Sequence, residues 1–439
     1  MSVHDHLGLA LSGASAYSLP AYEQAMAELQ AFVGDPVGSA DRAIAVAPDF
    51  VMAHVFKGYL YALSTEPKAT KIAAECQLQA ARLSADGRER RHVEALGLLA
   101  SGNWHAAGRL LGEISAEHPR DILALQAGHQ IDYFTGNAAS LRGRIATALP
   151  AWDAAMPGYH SMLGMLGFGL EENAEYAEAE AAGRRAVELE PRNGWAQHAV
   201  AHVMEMQCRQ REGIGWMRAN PDAWSTGSFL QVHNWWHLAL FHYDLGELDE
   251  ILALYDGPIY GKASTLALNM VDASSLLWRL HLGGFDVGDR WQKLADNWLP
   301  LAAAGNYAFN DAHAMMAFVG AGREEAARTL LAAQEEAARR DDDNAVFTRD
   351  VGYPLAKAIH AFGRGDYAEA AELILPIRSI ASRFGGSHAQ RDVIDLTLIE
   401  AAIRAGDHGL ALRLTRERER TRHDSPLSGA LRRRAEALG

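Results

Sequence analysis

The segment GRGDYAEAA at residues 363–371 decides the fold. It places a glycine turn directly before acidic residues and alanines, which is how one helix ends and the next begins. An apolar-periodic stretch precedes the turn and a second one follows it. The same arrangement recurs in SGNWHAA at 101, TGNAASL at 135, ENAEYAEA at 172, LGELDEI at 245, GAGREEAA at 320 and RAGDHGLA at 404. The repetition predicts a succession of helical hairpins.

These hairpins resemble the tetratricopeptide repeat, which has small residues at positions 8, 20 and 27 and a proline at position 32. Two units carry most of this pattern: Ala95, Ala107 and Pro119 in one, and Gly167, Ala179, Ala186 and Pro191 in the other. Ile114 departs from it at position 27 of the first unit. The resemblance implies helix pairs that bury their apolar faces against neighbouring pairs.

Counting back from each turn, the repeat units are expected to begin near residues 51, 88, 122, 160, 194, 232, 270, 308, 351 and 392. A further helical pair precedes Val51, and its first helix begins at Pro20. The predicted fold is an all-α, tetratricopeptide-like α-α superhelix, or solenoid, of about 11 hairpins, strongly curved with an enclosed concave surface.

The whole chain, residues 1–439, is predicted to form one solenoid domain, because no linker rich in Pro, Gly or Ser interrupts the array. Within it, residues 1–50 form the N-terminal helical pair and residues 51–412 the degenerate repeats. Residues 413–439, rich in arginine and glutamate, are predicted to form a C-terminal cap with a solvated, exposed face.

Composition restricts the function classes. The 439 residues are 49% hydrophobic and 22% charged, which is typical of a globular protein. The 41 Lys and Arg against 55 Asp and Glu give a net charge of -14, which argues against nucleic acid and anionic membrane surfaces as partners.

Cysteine usage and the N-terminus indicate the compartment. The two cysteines, Cys76 and Cys208, form no metal-binding motif and no disulfide framework, so a reducing compartment is expected. The N-terminus lacks a basic region followed by a long apolar run, and no segment has the 18 or so apolar residues of a membrane span. We therefore expect a soluble, cytoplasmic protein.

Histidines and one glutamate stand out in HAVAHVMEM at residues 198–206 and in HNWWHLALF at residues 233–241. If the hairpins follow the tetratricopeptide register, residues 198, 202 and 205 face the concave surface. Helices pack about 8–10 Å apart, so the two segments should form one titratable cluster. The candidate catalytic residues are His198, His202, Glu205, His233 and His237.

Three interpretations of this cluster stay open. Histidines four residues apart on a helix can hold zinc, and the candidate ligands are His198, His202 and His237. Ala199 stands where an H-E-x-x-H protease has its glutamate, so that class is excluded. The imidazoles could instead exchange protons with a substrate beside Glu205, or form a structural hydrogen-bonded network between helices. The sequence requires no cofactor, and a zinc-like divalent ion belongs to the first interpretation.

Other polar residues lie near the starts of helices and are candidates for ligand binding. They are Glu171, Asn234, Trp236, Asn310, Asp311, His313, Arg349, Asp350, His388, Gln390, Arg391 and Asp392. Such residues often only cap helices or form local ion pairs. Their recurrence at the same edge of successive units favours a shared binding surface.

The strings HAVAHVMEM, HNWWHLALF, FNDAHAMMA, RDVGYPL and GGSHAQRDV, in this order across residues 5–430, resemble the tetratricopeptide repeat protein 38 family. The resemblance implies an α-superhelix that is soluble and intracellular. It assigns no reaction.

The favoured prediction is a concave pocket, lined by His, Glu, Asp and Arg, that binds a small polar or anionic molecule. Arg349 or Arg391 would hold the anionic group, and the chemistry would be acid/base or metal-assisted, as in a hydrolase or a lyase. The alternative is a non-catalytic scaffold whose groove binds a peptide or a partner protein. Motifs of serine hydrolases, phosphate loops and dinucleotide-binding folds do not occur. The oligomeric state is not predicted.

Overall fold

A computed structural model describes residues 3–439 of the chain, which divides into two compact units. The first unit comprises the residues up to Val200 and the segment Asn220–Gln231. The second unit comprises the segments Ala201–Ala219 and Val232–Gly439.

The first unit begins with a small antiparallel sheet in which Val3 pairs with Leu11, and it continues with successive helices. Its elements are β1 (Val3–His4), β2 (Ala10–Leu11), α1 (Leu19–Ala31), α2 (Pro36–Val46), α3 (Val51–Ala62), α4 (Pro67–Ala81), α5 (Gly87–Ala100), α6 (Trp104–Glu117), α7 (Ile122–Phe134), α8 (Ala138–Ala148), α9 (Tyr159–Glu171), α10 (Tyr176–Leu189) and the start of α11 (Gly194–Met206). The short helix α13 (Pro221–Ser225) also belongs to it. A 3-10 turn at Leu149–Ala151 follows α8.

The second unit contains the end of α11 and, apart from Gln231, all of α14 (Gln231–Leu245). Its other helices are α12 (Gln210–Ala219), α15 (Leu248–Leu254), α16 (Ala267–Leu282), α17 (Arg290–Trp298), α18 (Ala308–Gly320), α19 (Glu324–Ala337), α20 (Asp343–Phe347), α21 (Tyr353–Gly363), α22 (Tyr367–Ile374), α23 (His388–Arg404), α24 (His408–Thr421) and α25 (Pro426–Glu436). Wider π-type turns lie at Tyr255–Ile259 and Thr348–Gly352, and 3-10 turns at Leu299–Leu301 and Arg378–Phe384.

The hairpin pattern predicted from the sequence is confirmed. The predicted starts at residues 51, 122, 194 and 308 coincide with the first residues of α3, α7, α11 and α18, and the others fall within a few residues of a helix start. Consecutive helices such as α3 and α4, or α9 and α10, pack against each other. The chain is therefore an all-α array of tetratricopeptide-like helical hairpins, with α13, α20 and α25 as additional helices.

Glycine allows both the turns and the close packing that this array needs. Gly365, in the turn that defines the pattern, has a φ of 84°, a conformation that residues with a Cβ rarely adopt. Inside α9, a Cβ on Gly167 would lie 3.1 Å from the carbonyl oxygen of Ala179 and 3.2 Å from the amide nitrogen of Gly183 in α10. A glycine at this position thus lets the two helices approach closely.

Three buried tryptophans tie the helices of the second unit together through their indole N–H groups. Trp236 on α14 donates to the hydroxyl of Ser275 on α16, at 3.0 Å. Trp298 on α17 also donates to α16, and Trp278 on α16 donates to Thr397 on α23, each at 3.0 Å. Since buried indole N–H groups need such partners, these bonds fix α16 between its neighbours. The polar residues that α16 carries are thereby held in place.

Within residues 3–439, none of the helices combines the length and the apolar character needed to cross a bilayer.

Candidate functional site

Three histidines of the second unit lie against one another, and we call them the histidine cluster: His202, His233 and His237. His202 lies on α11, while His233 and His237 are one turn apart on α14 and therefore share a face of that helix. The ring centre of His237 lies 4.4 Å from that of His202 and 4.9 Å from that of His233. One nitrogen of each ring lies within 4.8 Å of the corresponding nitrogens of the other two.

In two members of the histidine cluster, the ring nitrogen Nδ1 bonds a carboxylate. Nδ1 of His233 lies 3.0 Å from both carboxylate oxygens of Asp272 on α16. Nδ1 of His237 lies 3.2 Å from Oε2 of Glu205 on α11. A carboxylate at Nδ1 favours the tautomer with the proton on that nitrogen, so the lone pair of the ring is on Nε2.

Burial sets the protonation state of this cluster. His202 and His237 are fully buried, and desolvation holds the pKa of each well below its ordinary value, with the neighbouring histidines adding to the effect. Desolvation also raises the pKa of Glu205 to about 7. Near neutral pH the imidazoles of His202 and His237 are therefore uncharged. The carboxyl group of Glu205 can gain or lose a proton in the same pH range.

A chain of charged groups continues from Glu205. Its other oxygen, Oε1, lies 3.9 Å from Nη2 of Arg422, and the same nitrogen lies 3.8 Å from Oδ1 of Asp392. Arg418 donates two parallel hydrogen bonds, of 2.5 and 3.0 Å, to the carboxylate of Asp392. These contacts hold the pKa of Asp392 well below its usual range in spite of its burial, so it is ionised.

Arg279 on α16 completes what we call the arginine cluster: Arg279, Arg418 and Arg422. Arg279 is 2% exposed and donates to the backbone carbonyls of Ser275 and Ala389, at 3.1 and 2.7 Å. Its guanidinium lies 5.3 Å from the ring centre of Trp236, which in turn stacks on His233. The two clusters are therefore linked through Trp236 as well as through Glu205.

A cavity of about 20 Å³ lies among these charged groups, which is room for about one water molecule. Asp244 at its edge accepts hydrogen bonds from Gln210 and Ser425, and burial raises the pKa of Asp244. The residues that line the cavity are Glu205, Gln210, Leu240, Phe241, Tyr243, Asp244, Arg279, Asp392, Arg418, Arg422 and Leu427.

The sequence pattern predicted part of this arrangement. The structure brings together five of the predicted residues in the second unit: His202, Glu205, His233, His237 and Asp392. Asn234 and Trp236 are also fully buried on α14. His198 lies in the first unit, where it stacks on Phe168 with ring centres 5.2 Å apart and contacts Trp195. Glu171, at the end of α9, is also buried in the first unit.

Two predicted ligand-binding residues of the FTRDVG segment, Arg349 and Asp350, belong to neither cluster. Arg349 is exposed and donates to the carbonyl of Ala338, at 2.7 Å. Asp350 pairs with exposed Arg383, also at 2.7 Å. Both side chains stabilise the surface around the π-type turn before α21.

The residues at the start of α23 mostly build the helix terminus. Ser387 and Gln390 form a capping box, in which each side chain bonds the backbone N–H of the other. Arg391 donates to the carbonyl of Gly386, and His388 is half-buried at the first position of the helix.

On α18, Asn310, Asp311 and His313 are buried. Oδ2 of Asp311 accepts a hydrogen bond of 3.4 Å from Gln334, and burial raises the pKa of Asp311 to about 7. Nδ1 of His313 bonds the carbonyl of Phe309 at 2.8 Å, and burial lowers the pKa of His313 to about 4.

Sequence reasoning missed four central residues: Asp272, Arg279, Arg418 and Arg422. An aspartate and an arginine seven residues apart inside the otherwise apolar stretch of α16 were a usable signal, because that spacing places them on one helix face. The prediction that residues 413–439 present an exposed charged face is wrong for Arg418 and Arg422, whose side chains are 6% and 11% exposed.

Comparison with known proteins adds little to this description. No family model matches the chain. Among solved structures, it is similar to human IFIT1, captured as a dimer with m7Gppp-AAAA, at 15% identity and a TM-score of 0.37, with 95% of this chain and 94% of that chain covered. It is also similar to Naa15/Naa10 bound to HypK-THB, at 14% identity and a TM-score of 0.28, with 91% and 62% covered. The fold described above, an all-α array of tetratricopeptide-like hairpins, rests on the helices themselves.

Proposed function

We propose that the protein is a metal-dependent enzyme whose histidine cluster holds a zinc-like divalent ion. The observation that carries the proposal is the convergence of three imidazole nitrogens, two of them on rings whose Nδ1 already bonds a carboxylate. Histidine ligands of metals almost always have such a partner on the other ring nitrogen. Asp272 and Glu205 would orient His233 and His237.

The spacing of the rings suits this role. Nitrogens about 2.0–2.1 Å from one tetrahedral ion lie about 3.4 Å apart. The nitrogens of the cluster are within 4.8 Å of one another, so small rotations of the rings would close the site. The metal-ligand interpretation of the sequence is kept for His202 and His237, His233 is added, and His198, which belongs to the first unit, is not included.

The protonation states of the histidines also favour a role as metal ligands rather than as acid catalysts. His202 and His237 are neutral because burial lowers the pKa of each, and neutral imidazole is the form that binds metals. Glu205, with a pKa of about 7, is the group suited to take and return a proton near neutral pH.

Held by His202, His233 and His237, a zinc-like ion would supply Lewis-acid chemistry, the kind that activates water in hydrolase-like and lyase-like reactions. The substrate would be a small polar molecule, because the cavity beside Glu205 is small and lined by charged groups.

We also propose membership of the tetratricopeptide repeat protein 38 family. The polar strings quoted above support it, since His202, His233, His237 and Asp392 all come from them and share one site. A cytoplasmic location is proposed with it, supported by the two free cysteines, Cys76 and Cys208.

The test is metal analysis of the protein purified without a histidine tag and loaded with zinc, manganese or iron(II) in turn. We expect about one ion per chain in the wild type and at least a tenfold loss of affinity in His202→Ala and His237→Ala. His360→Gln is the matched control, because His360 only bonds Glu324 and Arg364 away from the cluster. Equal metal content in all four proteins, or none in the wild type, would refute the proposal.

A further inference from the structure

Among residues 3–439, the three guanidiniums of the arginine cluster are unequally paired. Arg418 pairs with Asp392, and Arg422 lies 3.8 Å from Asp392 and 3.9 Å from Glu205. Buried Arg279 pairs with neither carboxylate. Since buried charges are normally paired, an anion is the missing component.

Arg279 shows this imbalance most directly. Within residues 3–439, its guanidinium makes no ion pair: it bonds two backbone carbonyls and lies over Trp236. Burial accordingly lowers the pKa of Arg279, whereas nearby carboxylates raise that of Arg422. A fully buried arginine without an acidic partner is costly unless a ligand compensates its charge.

A second observation points the same way. Arg418 uses both terminal nitrogens on Asp392, and its Nε, buried in the described structure, has no hydrogen-bond partner. The cluster therefore keeps an unused N–H group in addition to the uncompensated charge of Arg279. Both arginines line the cavity.

We infer that the cavity between Arg279, Arg418 and Arg422 binds the carboxylate group of the substrate. Planar guanidiniums match the two oxygens of a carboxylate, and all three arginines line the cavity. Tyr243, whose hydroxyl bonds the carbonyl of Arg279, forms part of the wall. As a statement about the substrate, the inference rests on the proposed function.

The position of Glu205 relates the two sites. One of its oxygens faces Arg422 and the other bonds His237, so this single carboxyl separates the anion cavity from the histidine cluster. A carboxylate held by the arginines would place the rest of a small molecule next to Glu205 and the histidine cluster. The substrate class would thus be small carboxylic acids.

The experiment measures anion binding to metal-free protein by thermal shift and calorimetry. The probes are acetate, glycolate and succinate, with inorganic phosphate and chloride compared at equal ionic strength. We expect carboxylates to bind at least tenfold more tightly than phosphate or chloride. Arg279→Lys, which keeps the charge but loses the planar fork, should weaken carboxylate binding at least tenfold.

Arg323→Lys is the matched control, because Arg323 forms an exposed pair with Asp296. Loss of carboxylate preference in Arg279→Lys alone, in protein that still melts cooperatively, supports the inference. Binding that is equal in both variants, or no preference for carboxylates in the wild type, overturns it. Metal content is measured on the same samples: protein that takes up metal but no carboxylate refutes only this inference, and the reverse result refutes only the proposed function.

Discussion

Oε2 of Glu205 lies 3.2 Å from Nδ1 of His237, and its partner oxygen lies 3.9 Å from Arg422. This one carboxyl therefore joins the histidine cluster to the arginine cluster. Because burial raises the pKa of Glu205 to about 7, the group is divided between its two protonation states near neutral pH. Replacing Glu205 therefore distinguishes a structural role of this residue from a chemical one.

Glu205→Gln should weaken metal binding about 10–100-fold, because a neutral amide orients His237 less well and makes it a poorer ligand than a carboxylate does. Stability should change little, since the variant introduces no buried charge. The measurement is competition with a chelator of known affinity. Glu250→Gln, which removes only an exposed pair with Arg218, is the control, and equal affinity in the two variants would contradict the role of Glu205.

Asp392→Asn should lower the free energy of unfolding by about 3–5 kcal/mol, because it leaves Arg418 and Arg422 buried without their carboxylate. Denaturation by urea measures the loss. The control is Asp366→Asn at an exposed pair with Arg364, where the change should be about 0.5 kcal/mol or less. Similar values for the two variants would show that Asp392 is not essential to the buried network.

Asp311→Asn should change how stability depends on pH. The pKa of Asp311 is raised to about 7 in the folded protein, whereas the unfolded chain releases this proton near 3.8. Between about pH 4 and pH 7 the folded state therefore keeps a proton that the unfolded state has lost, and stability falls as pH rises.

The variant has no such proton, so its melting temperature should exceed that of the wild type at pH 8 by more than it does at pH 5. Thermal melting across this range measures the difference. Parallel curves for the two proteins would mean that Asp311 is ionised in the folded state.

Gly167→Ala should destabilise the first unit by about 1–3 kcal/mol, because the added Cβ would press on the backbone of Ala179 and Gly183. Gly143→Ala is a matched test on α8, where nothing lies within 4 Å of the added Cβ. There the substitution should stabilise by about 0.4–1 kcal/mol. Chemical denaturation of both variants checks the prediction, which fails if the two changes have the same sign.

The hairpin order was predictable because it depends on local features. A turn glycine such as Gly365 stops one helix, and the apolar periodicity of its neighbours reports which face is buried. The common face of His233 and His237 was predictable for the same reason, since residues four apart lie on one side of a helix.

The partners of these histidines were less predictable, because they depend on how helices distant in sequence pack. Arg418 and Arg422 belong to a run of arginines and glutamates that looks like an ordinary exposed helix, and only tertiary packing distinguishes the buried pair from its neighbours. Arg349 illustrates the opposite case, since an arginine beside an aspartate near a helix start suggested a place in the site, whereas its side chain bonds the carbonyl of Ala338 at the surface.

X-ray absorption of the zinc-loaded, untagged protein tests the central claim most directly. We predict a first shell at about 2.0–2.1 Å with the multiple-scattering pattern of three imidazoles, reduced to two in His233→Ala. A sulfur shell at about 2.3 Å, or a spectrum that is unchanged in the His233→Ala variant, would contradict a metal centre built on His202, His233 and His237.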